Sequence, residues 1–389
     1  MIKPQRFFAT CPRGLEQALA DELSGLDARD VKPVDGGARF AGEFSLCYAA
    51  NLESRIASRV LWQVGAGAYR TENDIYEAAR ALPWREWFGP ERTIRVGTSA
   101  IRSPLKSIDF VTLRVKDAVC DSLRAAAGRR PDVDTHAPDV RIQTFLTATD
   151  FTIYIDTSGE PLFKRGYRAA AGVAPLRENL AAGILRLSGW RPDTALFDPM
   201  CGSGTFLTEA ALIAGNIAPG SRRDFGFEKL VQFERKAWDG LLARAKEKEK
   251  IPLKTNIYGS DRYGDALKLA RANLAVIGLE DAVTLKQANV LEMPAPAPPG
   301  IIVTNPPYGV RLDEQQALAA FYPKLGDTLK KNYAGWTAYI LSADMALAKL
   351  IGLKASRRTP LFNGALDCRL FEYRVVAGGM RRVKPDKTA

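Results

Sequence analysis

The sequence is almost without histidine: His136 is the only one in 389 residues. That excludes a multi-histidine metal site and leaves no nucleophile–histidine pair for covalent catalysis. His136 lies in the Asp- and Pro-rich stretch Pro131–Pro138 and reads as a loop residue. Cysteine is also scarce. Cys11, Cys47, Cys120, Cys201 and Cys368 are odd in number, scattered, and never spaced as C-x-x-C, which argues against both a disulfide framework and a zinc site. No metal is expected. No run of eighteen apolar residues occurs, so no membrane helix is expected. The first residues, Met1 to Phe8, lack the apolar stretch and small-residue cleavage site of a signal peptide. These absences together predict a cytoplasmic protein. At 389 residues, two or three domains are expected.

What is abundant is positive charge, and it is unevenly placed. The net formal charge is +11. Residues 1–160 hold 21 Lys and Arg against 22 Asp and Glu, whereas residues 161–389 hold 34 against 22. A basic surplus of this size suits a polyanionic partner, because cations that displace condensed counterions gain affinity for nucleic acid.

Hydrophobic patterning divides the chain near residue 160. Before it, short units alternate. Strands are predicted at Arg6–Thr10, Ala38–Ala41, Ile56–Val64, Thr93–Gly97, Val140–Ala148 and Phe151–Asp156, the last two joined as a hairpin through Thr149-Asp150. Helices are predicted at Gly14–Leu23, from Ser45 as N-cap, at Thr71–Ala81 and at Ile108–Leu123. From about residue 175, strands alternate with longer helices, the pattern of a parallel sheet covered on both faces. The strands are Thr194–Asp198, Asn256–Ser260, Val283–Gln287, Gly300–Thr304, Thr337–Leu341, Leu366–Leu370 and Phe371–Val376. The helices are Gly204–Ala214, Asp265–Ile277 and Gln315–Tyr333. Met380–Ala389 is basic and polar and reads as a disordered tail.

One strand-to-helix junction carries chemistry. Asp198-Pro199-Met200-Cys201-Gly202-Ser203-Gly204-Thr205 has two glycines where a ligand can approach the backbone closely. It lacks the Gly-Lys-Ser/Thr ending of a phosphate loop, and Leu207 stands where a dinucleotide fingerprint has its third glycine. Asp198 at the strand end is placed for a cation, such as the ammonium of S-adenosylmethionine (AdoMet). Asp261, ending the next strand, is placed for ribose hydroxyls, with a helix N-cap as the equal alternative. Asn289 after the following strand can accept a hydrogen bond from an adenine amino group, at a position where aspartate is the commoner residue.

The apolar strand Gly300–Thr304 ends abruptly in Asn305-Pro306-Pro307-Tyr308. Two prolines stiffen the backbone and remove two N–H donors. If the Asn305 side-chain oxygen and the Pro306 carbonyl each accept one N–H of an exocyclic amine, its lone pair is freed from the base and can be aimed at a methyl donor. Tyr308 can stack on an unpaired or flipped base.

With these motifs in place, the chain resembles the class I AdoMet-dependent methyltransferases with an N/D-P-P-Y motif. More narrowly it is similar to the THUMP-containing RNA guanine-N2 methyltransferases of the RlmL type, represented by the N-terminal half of those 23S rRNA enzymes. Asp156–Arg168, Ala174–Ala181, Asp198–Thr205, Asn305–Gly309 and Leu361–Leu370 carry that resemblance. It implies a ferredoxin-like piece over residues 1–50, a THUMP RNA-binding domain over 51–160, a Rossmann-like α/β methyltransferase domain over 161–380 and a basic tail over 381–389. It also implies AdoMet as cofactor, with Glu178 and Asn179 joining its pocket. RNA is the implied partner, 23S rRNA ahead of tRNA, with Lys164, Arg165, Tyr167 and Arg168 as contacts whose cations and aromatic ring suit phosphates and bases. A basic face built from Arg95, Arg102, Lys106, Arg114 and Lys116 would answer the near-neutral charge of the first half. Competing readings are a tRNA guanine-N2 enzyme, a DNA adenine-N6 or release-factor glutamine methyltransferase, and a non-catalytic RNA-binding or ribosome-assembly protein that retains the fold.

Overall fold

The computed structural model describes residues 4–168, 176–251, 253–307 and 312–376. It comprises two compact units, Met1–Gly166 with Ile217–Glu249, and Tyr167–Asn216 with Lys250–Ala389.

The first unit is built on one seven-stranded sheet. Its elements in chain order are β1 (Gln5–Thr10), α1 (Glu16–Ser24), β2 (Arg29–Val34), β3 (Gly37–Gly42), α2 (Leu46–Glu53), β4 (Arg59–Ala68), α3 (Glu72–Arg80), β5 (Ile94–Ala100), α4 (Ile108–Ala127), β6 (Val140–Leu146) and β7 (Asp150–Asp156). The strand order is β2-β3-β1-β4-β7-β6-β5. All pairs are antiparallel except β5 with β6. The strand β2 was not expected from its sequence, Arg-Asp-Val-Lys-Pro-Val. It is an edge strand whose charges and Pro33 protect an open edge rather than fill a core. The helix α2 starts directly after Ser45, but no side-chain cap bond forms, because Ser45 already has helical dihedrals. Thr71, by contrast, caps α3 in a full capping box with Asp74.

The second unit opens with α5 (Glu178–Leu187), β8 (Leu196–Asp198) and α6 (Thr205–Ala214). The chain then returns to the first unit, where α7 (Arg235–Glu247) belongs, before resuming with β9 (Ile257–Asp261), α8 (Gly264–Val276), β10 (Val283–Gln287), β11 (Ile301–Thr304), α9 (Leu312–Asn332), β12 (Thr337–Ser342), α10 (Met345–Leu350), β13 (Arg357–Asn363) and β14 (Leu366–Arg374). The sheet order is β10-β9-β8-β11-β12-β14-β13, parallel from β10 to β12, with β14 antiparallel to both neighbours.

Three expectations are corrected here. The two strands read at Leu366–Leu370 and Phe371–Val376 are the single strand β14, seated between β12 and β13. The strand β13 was not expected: it is an edge strand carrying Pro360, which weakens a strand pattern. The helix α5 was not expected: Arg177 at its N-cap position makes no side-chain cap bond, and even its polar Glu178 and Asn179 are buried. The core beneath the sheet includes Phe197, Ile302, Tyr322, Leu325, Tyr333, Trp336, Ile340 and Phe371. Burying a large apolar side chain contributes roughly 1.5–3 kcal/mol relative to exposure. Among the described residues, no helix is long and apolar enough to cross a membrane.

Candidate active site

Strand order reverses at β8. The chain runs from β8 outward to β9 and β10, then crosses back to place β11 on the other side of β8. The carboxyl ends of β8 and β11 therefore border the crevice where an open α/β sheet takes its ligand. Parallel pairing of Ile301 with Leu196 and Ile302 with Phe197 fixes their register. Asp198 ends β8, and Asn305 follows directly on β11. Two motifs separated by more than a hundred residues thus meet at one sheet end.

Asp198 is buried. Its carboxylate accepts the Met200 N–H at 3.2 Å. Burial pushes its pKa up to about 7, and Asp261 nearby adds to the rise, while the Thr304 hydroxyl and the Met200 N–H oppose it. A buried carboxyl balanced near neutrality is one that a cation would convert fully to carboxylate.

The glycine-rich loop is tied down along its length. Cys201 N–H donates to Ser260 carbonyl (2.9 Å), Gly202 N–H to Asp261 Oδ2 (3.0 Å), Gly204 N–H to Cys201 carbonyl (2.8 Å), and Ser260 Oγ to Pro199 carbonyl (3.1 Å). From α8, Asn273 Nδ2 donates to the Ser203 carbonyl at 2.9 Å. The two glycines have different reasons to be there. A Cβ at Gly202 would project into open space, whereas one at Gly204 would come within 2.9 Å of Ala270 Cβ, so Gly204 lets α8 pack close. Both have positive φ.

Asp261 is buried and holds the loop: Oδ2 accepts from Gly202 and Oδ1 accepts the Tyr263 N–H at 3.0 Å. Each oxygen keeps a further lone pair for a ligand hydroxyl. Asn289 is exposed; its Oδ1 accepts the Leu291 N–H (3.2 Å) and its amide donates to Glu292 (3.0 Å). Thr205 begins α6, and its hydroxyl accepts from Arg168 Nη2 at 3.3 Å. Glu178, in the first turn of α5, accepts from Arg168 Nε at 2.9 Å, and Asn179 beside it is fully buried. Of the proline loop, Asn305 is half-buried, Pro306 buried and Pro307 exposed; Tyr308 lies outside the described residues, as do Ala174, Pro175 and the tail from 377.

The four residues expected to contact RNA separate on inspection. Lys164 is exposed and pairs with Glu160. Arg165 is buried, giving its guanidinium to the carbonyls of Leu162 and Arg55. Tyr167 is buried, its hydroxyl bonded to Glu209 at 3.2 Å. Arg168 braces Glu178, Thr205 and the Leu176 carbonyl. Only Lys164 presents its charge to solvent; Arg165 and Arg168 spend theirs, and Tyr167 its hydroxyl, on the protein's own frame. Sequence reasoning missed Asn273, Thr304 and Ser260. Asn273 had a signal, a polar residue on the buried stripe Leu267–Ala270–Leu274 of α8. Thr304 and Ser260 are short polar residues at strand ends and had none.

The chain is similar to several known proteins. Residues 165–372 match an RMKL-like methyltransferase domain, 69–156 a THUMP domain and 6–61 an RlmL ferredoxin-like domain. A protein of Synechocystis named as a candidate RNA methyltransferase is 38% identical over 368 residues, covering 94% of this chain and 96% of its own. The ribosomal RNA large subunit methyltransferase K/L of Syntrophotalea carbinolica is 39% identical over 385 residues, covering 96% of this chain and 54% of its own. The chain therefore spans about half the length of that K/L enzyme. A crystal structure of SMU.472, a candidate methyltransferase complexed with S-adenosylhomocysteine, superposes with a TM-score of 0.87 at 32% identity, covering 97% of this chain and all of that one. The chain belongs to the RMKL-like methyltransferases, with RlmL ferredoxin-like and THUMP domains ahead of the methyltransferase domain.

Proposed function

We propose that this protein transfers a methyl group from AdoMet to the exocyclic N2 of a guanine in 23S rRNA, in the cytoplasm. The observation that carries the reading is the meeting of Asp198, the glycine loop and Asn305-Pro306-Pro307 at the carboxyl ends of adjacent strands. The residues present fit AdoMet: a buried carboxyl for its ammonium, a loop whose Gly202 leaves open space, and a second buried carboxylate at the next strand end. AdoMet supplies an electrophilic methyl group on a sulfonium.

The protein's own residues do the rest. Asp198 would hold the ammonium of the methionine moiety, with the loop from Pro199 to Thr205 beside it. Asp261 would accept from the ribose hydroxyls and Asn289 from the adenine amino group, with Glu178 and Asn179 completing the set of residues that hold the cofactor. Asn305 Oδ1 and the Pro306 carbonyl each accept a hydrogen bond from one N–H of the target amine, which directs the nitrogen lone pair outward, and one of those protons is lost to solvent as the new N–C bond forms. Stiffness from two prolines keeps those acceptors in place without reorganisation during reaction, which is where electrostatic catalysis gains most. Tyr308 stacks on the base. Residues 1–50 and 51–160 hold the RNA, and 161–380 perform the chemistry.

The test is mass-spectrometric nucleoside analysis of rRNA and tRNA from a deletion strain. Loss of N2-methylguanosine from the 23S fraction is expected. Its loss from tRNA alone would move the substrate to tRNA, and no loss in either fraction would sink the assignment.

A further inference from the structure

In the second unit, the last hairpin reaches past the carboxyl end of the parallel strands. Ser342 is the final residue of β12, and it pairs with Arg369 of β14. Leu366, Asp367 and Cys368 therefore lie beyond it, and so does the turn Gly364-Ala365, which the pairing of Asn363 with Leu366 closes. The strand β11 runs parallel to β12 with its last residue, Thr304, opposite Ile340, so Asn305 emerges at this same end. Gly364 has φ at 67°, the left-handed conformation that a two-residue hairpin turn asks of its first residue.

This turn touches the start of α5. Arg177, the N-cap residue there, makes no side-chain cap bond, so the first N–H groups of the helix need acceptors from elsewhere. One comes from 186 residues away in the chain: Asn363 Oδ1 accepts the Arg177 N–H at 3.3 Å. The Arg177 guanidinium lies against the turn, where a Cβ on Gly364 would come within 2.9 Å of Nη2. A second tie is Arg168, which donates to Glu178 Oε1 at 2.9 Å, to the Leu176 carbonyl at 3.0 Å and to the Thr205 hydroxyl at 3.3 Å. The first turn of α5, with Glu178 and Asn179 on it, is thus tied both to the end of the glycine loop and to the hairpin turn.

We propose that Asn363 and Gly364 are positioning residues for AdoMet, acting through the start of α5. The hairpin itself needs only the glycine; an asparagine beside it, aimed at the N-cap of a distant helix, serves that helix. A helix end without its cap frays, and a frayed first turn must be ordered again when a ligand binds, which lowers affinity. Gly364 contributes by leaving room for the Arg177 guanidinium, so that the turn and the helix start can approach. The inference rests on the reading of Glu178 and Asn179 as cofactor-binding residues, and it says what holds them in place.

The test is calorimetric titration of the full chain with AdoMet, read beside the melting temperature and the amide hydrogen exchange of residues 178–181. Asn363→Ala is expected to weaken AdoMet binding about five- to tenfold, the scale of one lost helix cap, and to speed exchange at the start of α5 before any cofactor is added. Asn363→Asp keeps an acceptor oxygen and should bind within about twofold of the wild type. Gly364→Ala presses on Arg177, so its loss of affinity should shrink once Arg177→Ala has removed the guanidinium, while the cost of the left-handed φ stays in the melting temperature. Asn363→Ala protein that melts lower but binds AdoMet as the wild type does would overturn the proposal. Equal weakening by Asn363→Ala and Asn363→Asp would do the same. Failure of AdoMet to slow exchange at residues 178–181 of the wild type would remove α5 from the cofactor site, and the inference with it. Slowed exchange there, beside unchanged affinity in Asn363→Ala, would remove the role of the turn alone.

Discussion

Asp198 is the residue whose chemistry is most exposed to test. An aspartate has a pKa near 3.9 when unfolded. Burial raises that of Asp198 to about 7, so between those values the folded protein binds more protons than the unfolded one, and this residue's contribution to stability declines as pH rises through the window. An ammonium bound beside it reverses the preference. AdoMet affinity is therefore expected to fall about eightfold from pH 7.5 to pH 6, as the ionised fraction of a group titrating near 7 falls. Calorimetry of the wild type and Asp198→Asn checks this: the variant should bind weakly at both values. A flat wild-type profile would remove Asp198 from the ammonium site. Asn305→Ala should leave AdoMet affinity nearly unchanged and lower transfer by about two to three orders of magnitude, the cost of one oriented acceptor or donor in a preorganised site. A parallel loss of cofactor affinity would make Asn305 structural.

At the scale of elements, the glycine loop is positioned by helix packing. Gly204 sits at φ 77°, and its missing Cβ makes room for Ala270 of α8. Gly204→Ala should cost roughly 2–4 kcal/mol, combining a left-handed backbone with an overpacked helix contact. Ala270→Gly in the same chain should recover part of the packing component and none of the backbone component. Urea unfolding of the single and double variants measures both, and an additive pair would show that the contact does not limit packing. Element by element, regular patterns were legible and interrupted ones were not. The helix α4 and the strand β11 show clear periodicity or an apolar run. The edges β2 and β13 carry proline and charge, which interrupt the alternation of a strand, and α5 has no side-chain N-cap to mark its start.

At the scale of the molecule, the return of Ile217–Glu249 to the first unit is the largest feature that the sequence order conceals. Phe227, Phe233 and Trp238 surround Tyr48 of α2, Phe225 stacks on Phe227, and Phe227 N–H donates to the Thr157 carbonyl at 2.9 Å. Arg223 reaches four carbonyls, those of Pro161, Ser158 and Glu160 at 2.6, 3.2 and 2.6 Å and that of Lys164 at 3.3 Å. Burial and the neighbouring Arg165 lower its pKa to about 10, which leaves it charged at neutral pH. Arg223→Met should destabilise the first unit by roughly 1–3 kcal/mol, because a half-buried group that donates to several carbonyls leaves the less exposed of them unsatisfied when removed. A melting temperature within a degree of wild type would show that the excursion is held by its aromatic residues alone.

By itself the sequence determined the α/β class, the parallel order of the second half, the glycine loop and the Asn305 turn. These are local: a strand's apolar run, a glycine's freedom and a proline's constraint act over a few residues and leave their mark in order along the chain. Tertiary structure alone decided that Asp198 and Asn305 meet, that Arg165, Tyr167 and Arg168 serve the frame, and that residues 217–249 belong with the first unit. The reason is that burial and partnership depend on which distant surface arrives. An arginine's sequence neighbours do not say whether its guanidinium will find a phosphate, a glutamate or a backbone carbonyl.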